Sequence, residues 1–137
     1  MSEVFADSFY YIALLNPADQ YHDIALAATR SLRDRIVTTW AVIIEVADAL
    51  SAPPVRSHCH RFIERLIVDP TTTVVEPTVE LYRRSLTLYR DRPDKDWSLT
   101  DCLSFEVMSQ RGIATALTAD RHFVQAGFRA ILQSENE

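Results

Sequence analysis

Short apolar or β-branched runs alternate along this chain with longer helical stretches, and that alternation constrains the fold more than any other feature. Val4–Phe5–Ala6 is apolar, stops at Asp7–Ser8, and reads as a first strand. Arg35–Thr39 and Thr71–Val75 are short β-branched runs of the same kind, and Ile113–Thr118 and Arg129–Leu132 supply a fourth and a fifth. Between them lie Tyr10–Leu15, broken by Asn16–Pro17, and Tyr21–Leu32, with Ile24, Ala27 and Ala28 on one stripe. Trp40–Leu50 is helical up to the breakers Ser51–Ala52–Pro53–Pro54, and Val55–Ile67 follows with Phe62, Ile63 and Leu66 inward. Thr78–Arg90 has Thr78 at its N-cap. Ser98–Gln110 is apolar nearly all round, so it is expected to be buried, with Gly112 closing it. Phe123–Ala126 is a single helical turn.

The resulting order is β-α-α-β-α-α-β-α-α-β-α-β. Strands separated by helical crossovers pair in parallel, with helices on both faces and right-handed connections. The expected fold class is therefore α/β, with one domain over residues 1–137 on a mostly parallel five-stranded sheet in a three-layer α/β/α sandwich.

Composition narrows the function. The chain has only two glycines, Gly112 and Gly127, so the glycine-rich phosphate loops of P-loop and dinucleotide-binding folds cannot be built. Cys59 and Cys102 form no C-x-x-C pair, which excludes zinc ribbons and fingers and leaves a reducing cytoplasm as the expected compartment. No apolar run approaches the roughly 18 residues of a membrane span, and Glu3 and Asp7 sit where a secretory signal would be basic. The net charge of −5 argues against bulk electrostatic binding of nucleic acid. It is compatible with an enzyme that meets a phosphodiester through a metal held by carboxylates. Arginine supplies all the basic residues except Lys95, a bias that suits phosphate but equally reflects base composition.

In an open parallel sheet, ligands bind beyond the carboxyl ends of the strands. Asp7 ends the first strand, and Asp120 ends the fourth in Leu117–Thr118–Ala119–Asp120. Glu45 lies on the helix after the second strand, beside Ala41, Val42 and Ala49, so its face is not plainly solvated. Asp101 closes Ser98–Leu99–Thr100–Asp101, which also has the form of a capping box. Each residue alone has a local explanation. Together, four carboxylates at one sheet edge repel unless protonated or bound to a cation, and oxygen-only ligands select hard divalent ions such as Mg²⁺ or Mn²⁺.

These residues carry a resemblance. Phe5–Ala6–Asp7–Ser8 with Tyr21–His22–Asp23, Ile43–Ile44–Glu45–Val46–Ala47, Ser98–Leu99–Thr100–Asp101–Cys102, and Leu117–Thr118–Ala119–Asp120–Arg121–His122–Phe123 resemble, in order, the acidic motifs of the PIN domain family. The resemblance implies a compact α/β/α fold and a Mg²⁺- or Mn²⁺-dependent endoribonuclease, as in the VapC-type toxins paired with an antitoxin. It implies Asp7, Glu45, Asp101 and Asp120 as the catalytic, metal-holding quartet, with Ser8 and Thr118 as small hydroxyl positions beside it on the substrate side. Asp96 would be a loop residue or a further acidic neighbour. Lys95 or Trp97 could clamp phosphate or stack on a base, and Arg92 and Arg121 could steer substrate from the rim. His58–Cys59–His60 is a surface-helix motif, since i and i+2 point apart on a helix. His22 and His122 are expected to make local hydrogen bonds. A homodimer is expected, with Tyr10, Tyr11, Ile12, Leu14 and Leu15 as surplus apolar surface. The competing readings are a catalytically weak PIN-fold partner-binding module and a phosphate-accepting receiver domain. The second needs an adjacent acidic pair after strand one, which Asp7–Ser8 does not supply.

Overall fold

The computed structural model describes residues 2–132. Five strands, β1 (Glu3–Ala6), β2 (Arg35–Thr39), β3 (Thr72–Val75), β4 (Thr115–Leu117) and β5 (Arg129–Ala130), form one sheet in the order β3-β2-β1-β4-β5. Every pairing is parallel. The helices are α1 (Ser8–Leu15), α2 (His22–Ser31), α3 (Trp40–Ala49), α4 (Pro53–Val68), α5 (Val79–Asp91), α6 (Leu99–Arg111) and α7 (Arg121–Gln125). The expected element order and the three-layer α/β/α arrangement are both present. From β1 the chain steps outward to β2 and β3, then returns to the other side of β1 for β4 and β5. With right-handed crossovers this reversal puts α1–α4 over one face and α5–α7 over the other. It makes the gap between β1 and β4 the switch point where such sheets bind ligands.

Boundaries differ from expectation where local chemistry decides. Helix α4 begins at Pro53, not Val55: the first helical positions donate no intrahelical bond, so proline is welcome there. Strand β4 starts at Thr115, because the Ile113 amide still bonds the Met108 carbonyl at 2.9 Å around Gly112, whose φ of 67° is the left-handed cap conformation. Helix α7 starts two residues early because Asp120 caps it, accepting from the His122 amide at 2.9 Å. The β5 ladder ends at Ala130, although Leu132 remains buried and its amide bonds the Thr118 carbonyl at 3.0 Å.

The core is one cluster between sheet and helices, built on Val4, Phe5, Val37 and Leu117. Phe105 of α6 packs its ring on Trp97 at 5.1 Å, on Phe123 of α7 at 5.0 Å and on Phe128 at 5.7 Å. Phe123 in turn meets Phe5 of β1 at 6.3 Å. This aromatic stack seats α6 and α7 against the first strand. Tyr10, Tyr11 and Leu15 are buried in that core, and Ile12 and Leu14 pack against it, so α1 offers no surplus apolar face. A helix entering directly from the central strand is enclosed by its neighbours α2 and α3, which one-dimensional periodicity does not show.

Candidate functional site at the switch point

The β1–β4 register pairs Phe5 with Ala116 and Ala6 with Leu117. One step on, Asp7 meets Thr118, and the Thr118 hydroxyl donates to Asp7 Oδ2 at 3.0 Å. Asp7 occupies the N-cap position of α1 yet makes no side-chain cap bond, and its carboxylate reaches Thr118 across the switch point. It is 4% exposed. Burial pushes its pKa up to about 7, helped by the charges of Asp101 and Glu45, while hydrogen bonds from Thr118 and the Ser8 amide act in the opposite sense. That pattern places three of the four carboxylates within electrostatic reach of one another.

Glu45 is half-buried on α3, a helix started by Thr39, whose hydroxyl accepts from the Val42 amide at 3.1 Å. Its Oε1 accepts a hydrogen bond from the Ser8 hydroxyl of α1. Asp101 completes the capping box of α6: the Ser98 hydroxyl accepts from the Asp101 amide at 2.9 Å, and Asp101 Oδ2 accepts from the Ser98 amide at 3.1 Å. The same Oδ2 accepts from His122 Nδ1 at 2.9 Å. Asp120 Oδ1 accepts from the His122 amide, and the Asp120 amide is held by the Thr118 hydroxyl at 3.1 Å. Capping and clustering are therefore not alternatives at Asp101 and Asp120, since both residues do both.

A further regularity follows. Glu45, Asp101 and Asp120 each engage one carboxylate oxygen with protein donors, while Glu45 Oε2, Asp101 Oδ1 and Asp120 Oδ2 accept no hydrogen bond from the described residues. One oxygen fixes the rotamer and the other is left to a ligand. A carboxylate oxygen of Asp101 and one of Asp120 lie within 4.8 Å of each other, with a ring nitrogen of His122 within the same distance of both. Hard carboxylate oxygens in a half-dry cleft, with no thiolate among them, fit a divalent ion of the magnesium or manganese kind.

The other singled-out residues fall elsewhere. Ser8 and Thr118 are buried with their hydroxyls on Glu45 and Asp7, and Thr118 has no exposed surface to offer a substrate. Trp97 is 6% exposed, donates from Nε1 to Gln125 at 3.0 Å and carries the Arg92 guanidinium 5.1 Å above its ring, so it offers no stacking face. Arg92 is further held by both oxygens of Asp94, which leaves Arg121 as the more exposed rim arginine. Lys95 stands 3.9 Å from Asp94. In His58–Cys59–His60 the cysteine is buried while both histidines are exposed, and His60 pairs with Glu64. His22 bonds the Ala13 carbonyl at 2.8 Å, the local role expected of it. The tie between His122 and Asp101 escaped sequence reasoning; its one trace is the D-x-H spacing after β4.

The family model of the PIN domain matches residues 4–129. The chain belongs to the PIN domain family. PIN domains are generally nucleases. Among solved structures, VapC20 of Mycobacterium tuberculosis, described as a sarcin–ricin loop cleaving toxin, superposes on this PIN domain with a TM-score of 0.88 at 23% identity, covering 95% of this chain and 99% of that one. FitAcB from Neisseria gonorrhoeae does so with a TM-score of 0.63 at 17% identity, covering 95% and 96%. These likenesses establish a shared fold. No curated protein matches the sequence significantly. Among the described residues no helix is long and apolar enough to cross a membrane.

Proposed function

We propose that residues 1–137 act as a single-domain, VapC-like endoribonuclease of the cytoplasm that depends on Mg²⁺ or Mn²⁺ and serves as the toxin of a toxin–antitoxin pair. The observation that carries this reading is the convergence of Asp7, Glu45, Asp101 and Asp120, with oxygens left unpaired at the switch point. Those four residues would hold the ion, which when bound supplies a more acidic water and neutralises charge on the phosphate. The chain's own work is positional. Thr118 orients Asp7, Ser8 orients Glu45, and the capping interactions orient Asp101 and Asp120. Ser8 and Thr118 thus act as positioning residues in place of the substrate contacts first expected of them. The description of VapC20 as a sarcin–ricin loop cleaving toxin supports RNA as substrate and a toxin role. All four acidic positions are filled, which favours an enzyme over a binding module.

Cleavage of structured RNA by the purified protein should stop in EDTA and return with Mg²⁺ or Mn²⁺. Cleavage that persists after chelation, or a stoichiometric zinc that survives EDTA dialysis, overturns the reading. RNA left intact with every divalent ion supports the partner-binding alternative.

The proposed homodimer draws its support from α5 and not from α1. Val79, Tyr82, Leu86 and Tyr89 are 47–65% exposed and recur at spacings of three, four and three, a continuous apolar seam along the helix. That spacing reads the same in both directions, so the seam can meet itself across a two-fold axis. Light scattering at micromolar concentration should give a dimer mass for the parent and a monomer mass for Leu86→Glu. A parental monomer removes the dimer from the proposal.

A further inference from the structure

We propose that His122 is a positioning residue that clamps Asp101 and Asp120 together, so that their free oxygens present one divalent site. The inference deepens the proposed metal-dependent reading and rests on it. Asp101 and Asp120 come from different helices, and two carboxylates brought together repel. His122 bridges them with two separate groups. Its backbone amide donates to Asp120 Oδ1 at 2.9 Å, and its ring Nδ1 meets Asp101 Oδ2 at 2.9 Å and stands 3.5 Å from Asp120 Oδ1. The other ring nitrogen, Nε2, lies 3.2 Å from Asp96 Oδ1 on the loop before α6. The ring is 18% exposed, and the Phe123 side chain that follows it is fully buried in the aromatic stack, so the imidazole is carried on a rigid base.

The geometry separates a clamp from a ligand. Every contact that His122 makes with Asp101 and Asp120 falls on the oxygens already engaged in helix capping, Asp101 Oδ2 and Asp120 Oδ1. The oxygens without partners, Asp101 Oδ1 and Asp120 Oδ2, are the ones it leaves alone. A ring that holds the anchored side of two carboxylates sets their rotamers for the other side, as partners of metal-ligating groups do elsewhere. Asp96 steadies the outer edge of the ring. Its side chain is 74% exposed, so its part in the clamp is minor.

Substitutions distinguish the two ring nitrogens. The Asn amide nitrogen sits on the same branch as Nδ1, so His122→Asn can still donate to Asp101, whereas His122→Ala removes the bridge. Mn²⁺ affinity, measured by calorimetry or EPR titration, should fall about 10- to 100-fold in His122→Ala and recover most of that loss in His122→Asn. Asp96→Ala should change it by less than about threefold. In cleavage, His122→Ala should lower kcat at saturating RNA with KM for RNA little changed. Melting in EDTA reports whether each variant folds; should His122→Ala fail to fold, His122→Leu, which keeps the ring's volume without its nitrogens, takes its place. Pulsed EPR of Mn²⁺ on the parent should show no strong coupling to a directly bound imidazole nitrogen. Such a coupling overturns the clamp and makes His122 a ligand. Variants lacking the ring that bind Mn²⁺ as the parent does also overturn it, reducing His122 to a support for α7. A parent that neither binds Mn²⁺ nor cleaves RNA instead defeats the proposed function itself.

Discussion

Asp7→Asn is expected to abolish RNA cleavage while making the metal-free protein more stable above neutral pH. Asp7 is the most buried of the four carboxylates and sits at the end of the central strand. Asn is nearly isosteric, and its amide oxygen can still accept from Thr118, so the geometry should survive. What disappears is a negative charge in a dry cleft facing Asp101 and Glu45. Loss of one anionic ligand should lower kcat by a factor on the order of a thousand or more.

The stability effect has a definite pH window. In the fold the Asp7 carboxyl titrates at about 7, raised from 3.8. The folded state therefore holds its proton over a range where the unfolded chain has released it. Stability from this group is fully present below the unfolded value and is lost as pH rises through about 7. In EDTA, parent and Asp7→Asn should melt together only below the unfolded value of 3.8, where the carboxyl is neutral in both the folded and the unfolded chain, and should diverge as pH rises from there toward 7. Near pH 8 the variant should be more stable by roughly 1 to 3 kcal/mol. At about 3 to 5 °C per kcal/mol for a chain of this size, that is a shift readable by calorimetry. Added Mg²⁺ should then raise the Tm of the parent more than that of the variant, since only an ion bound to the native state stabilises it. A variant that melts well below the parent at pH 8, or that cleaves RNA at the parental rate, contradicts the account of a strained acidic cleft.

Asp101→Ala should behave in the opposite way on stability. This side chain closes the capping box of α6 and also receives His122. Its removal leaves the Ser98 amide without its acceptor and the His122 ring without its main partner. Loss of the cap alone costs about 1 kcal/mol, within a range of roughly 0.5 to 2 kcal/mol. The metal-free variant should therefore melt several degrees lower at both pH 5 and pH 8, and cleavage should fall with it by a factor on the order of a hundred or more. The contrast is the informative part. One carboxylate of the cluster is a net burden on the apo fold, and another is part of its framework. A variant that loses stability yet cleaves normally would show Asp101 to be a cap alone; one that loses activity with an unchanged Tm would show that the box contributes little.

Much of this was legible in one dimension. Strand and helix alternation follows from side-chain period and from the breakers at Asn16–Pro17 and Ser51–Pro54, which act within a few residues. The parallel sheet follows because single strands separated by helices have no hairpin to form. The carboxylates could be placed at one edge because Asp7 and Asp120 end their strands directly, and a parallel sheet puts all its strand ends together. What the sequence could not decide was which atoms face which. The Asp7–Thr118 bond depends on the register of two strands 111 residues apart. The assignment of Ser8 to Glu45 depends on how α1 packs beside α3. The burial of Trp97 depends on Phe105 and Gln125 arriving from other elements, and the burial of α1 depends on neighbours its own amphipathic pattern does not reveal. His122 shows the division most clearly. Its spacing from Asp120 is written in the sequence, but its tie to Asp101 exists only because an aromatic stack seats α6 against α7. Local propensity and hydrophobic period determined the elements and their order, for they act between near neighbours along the chain. The tertiary structure alone decided the orientation of each carboxylate, because a hydrogen bond between distant residues is set by packing across the core.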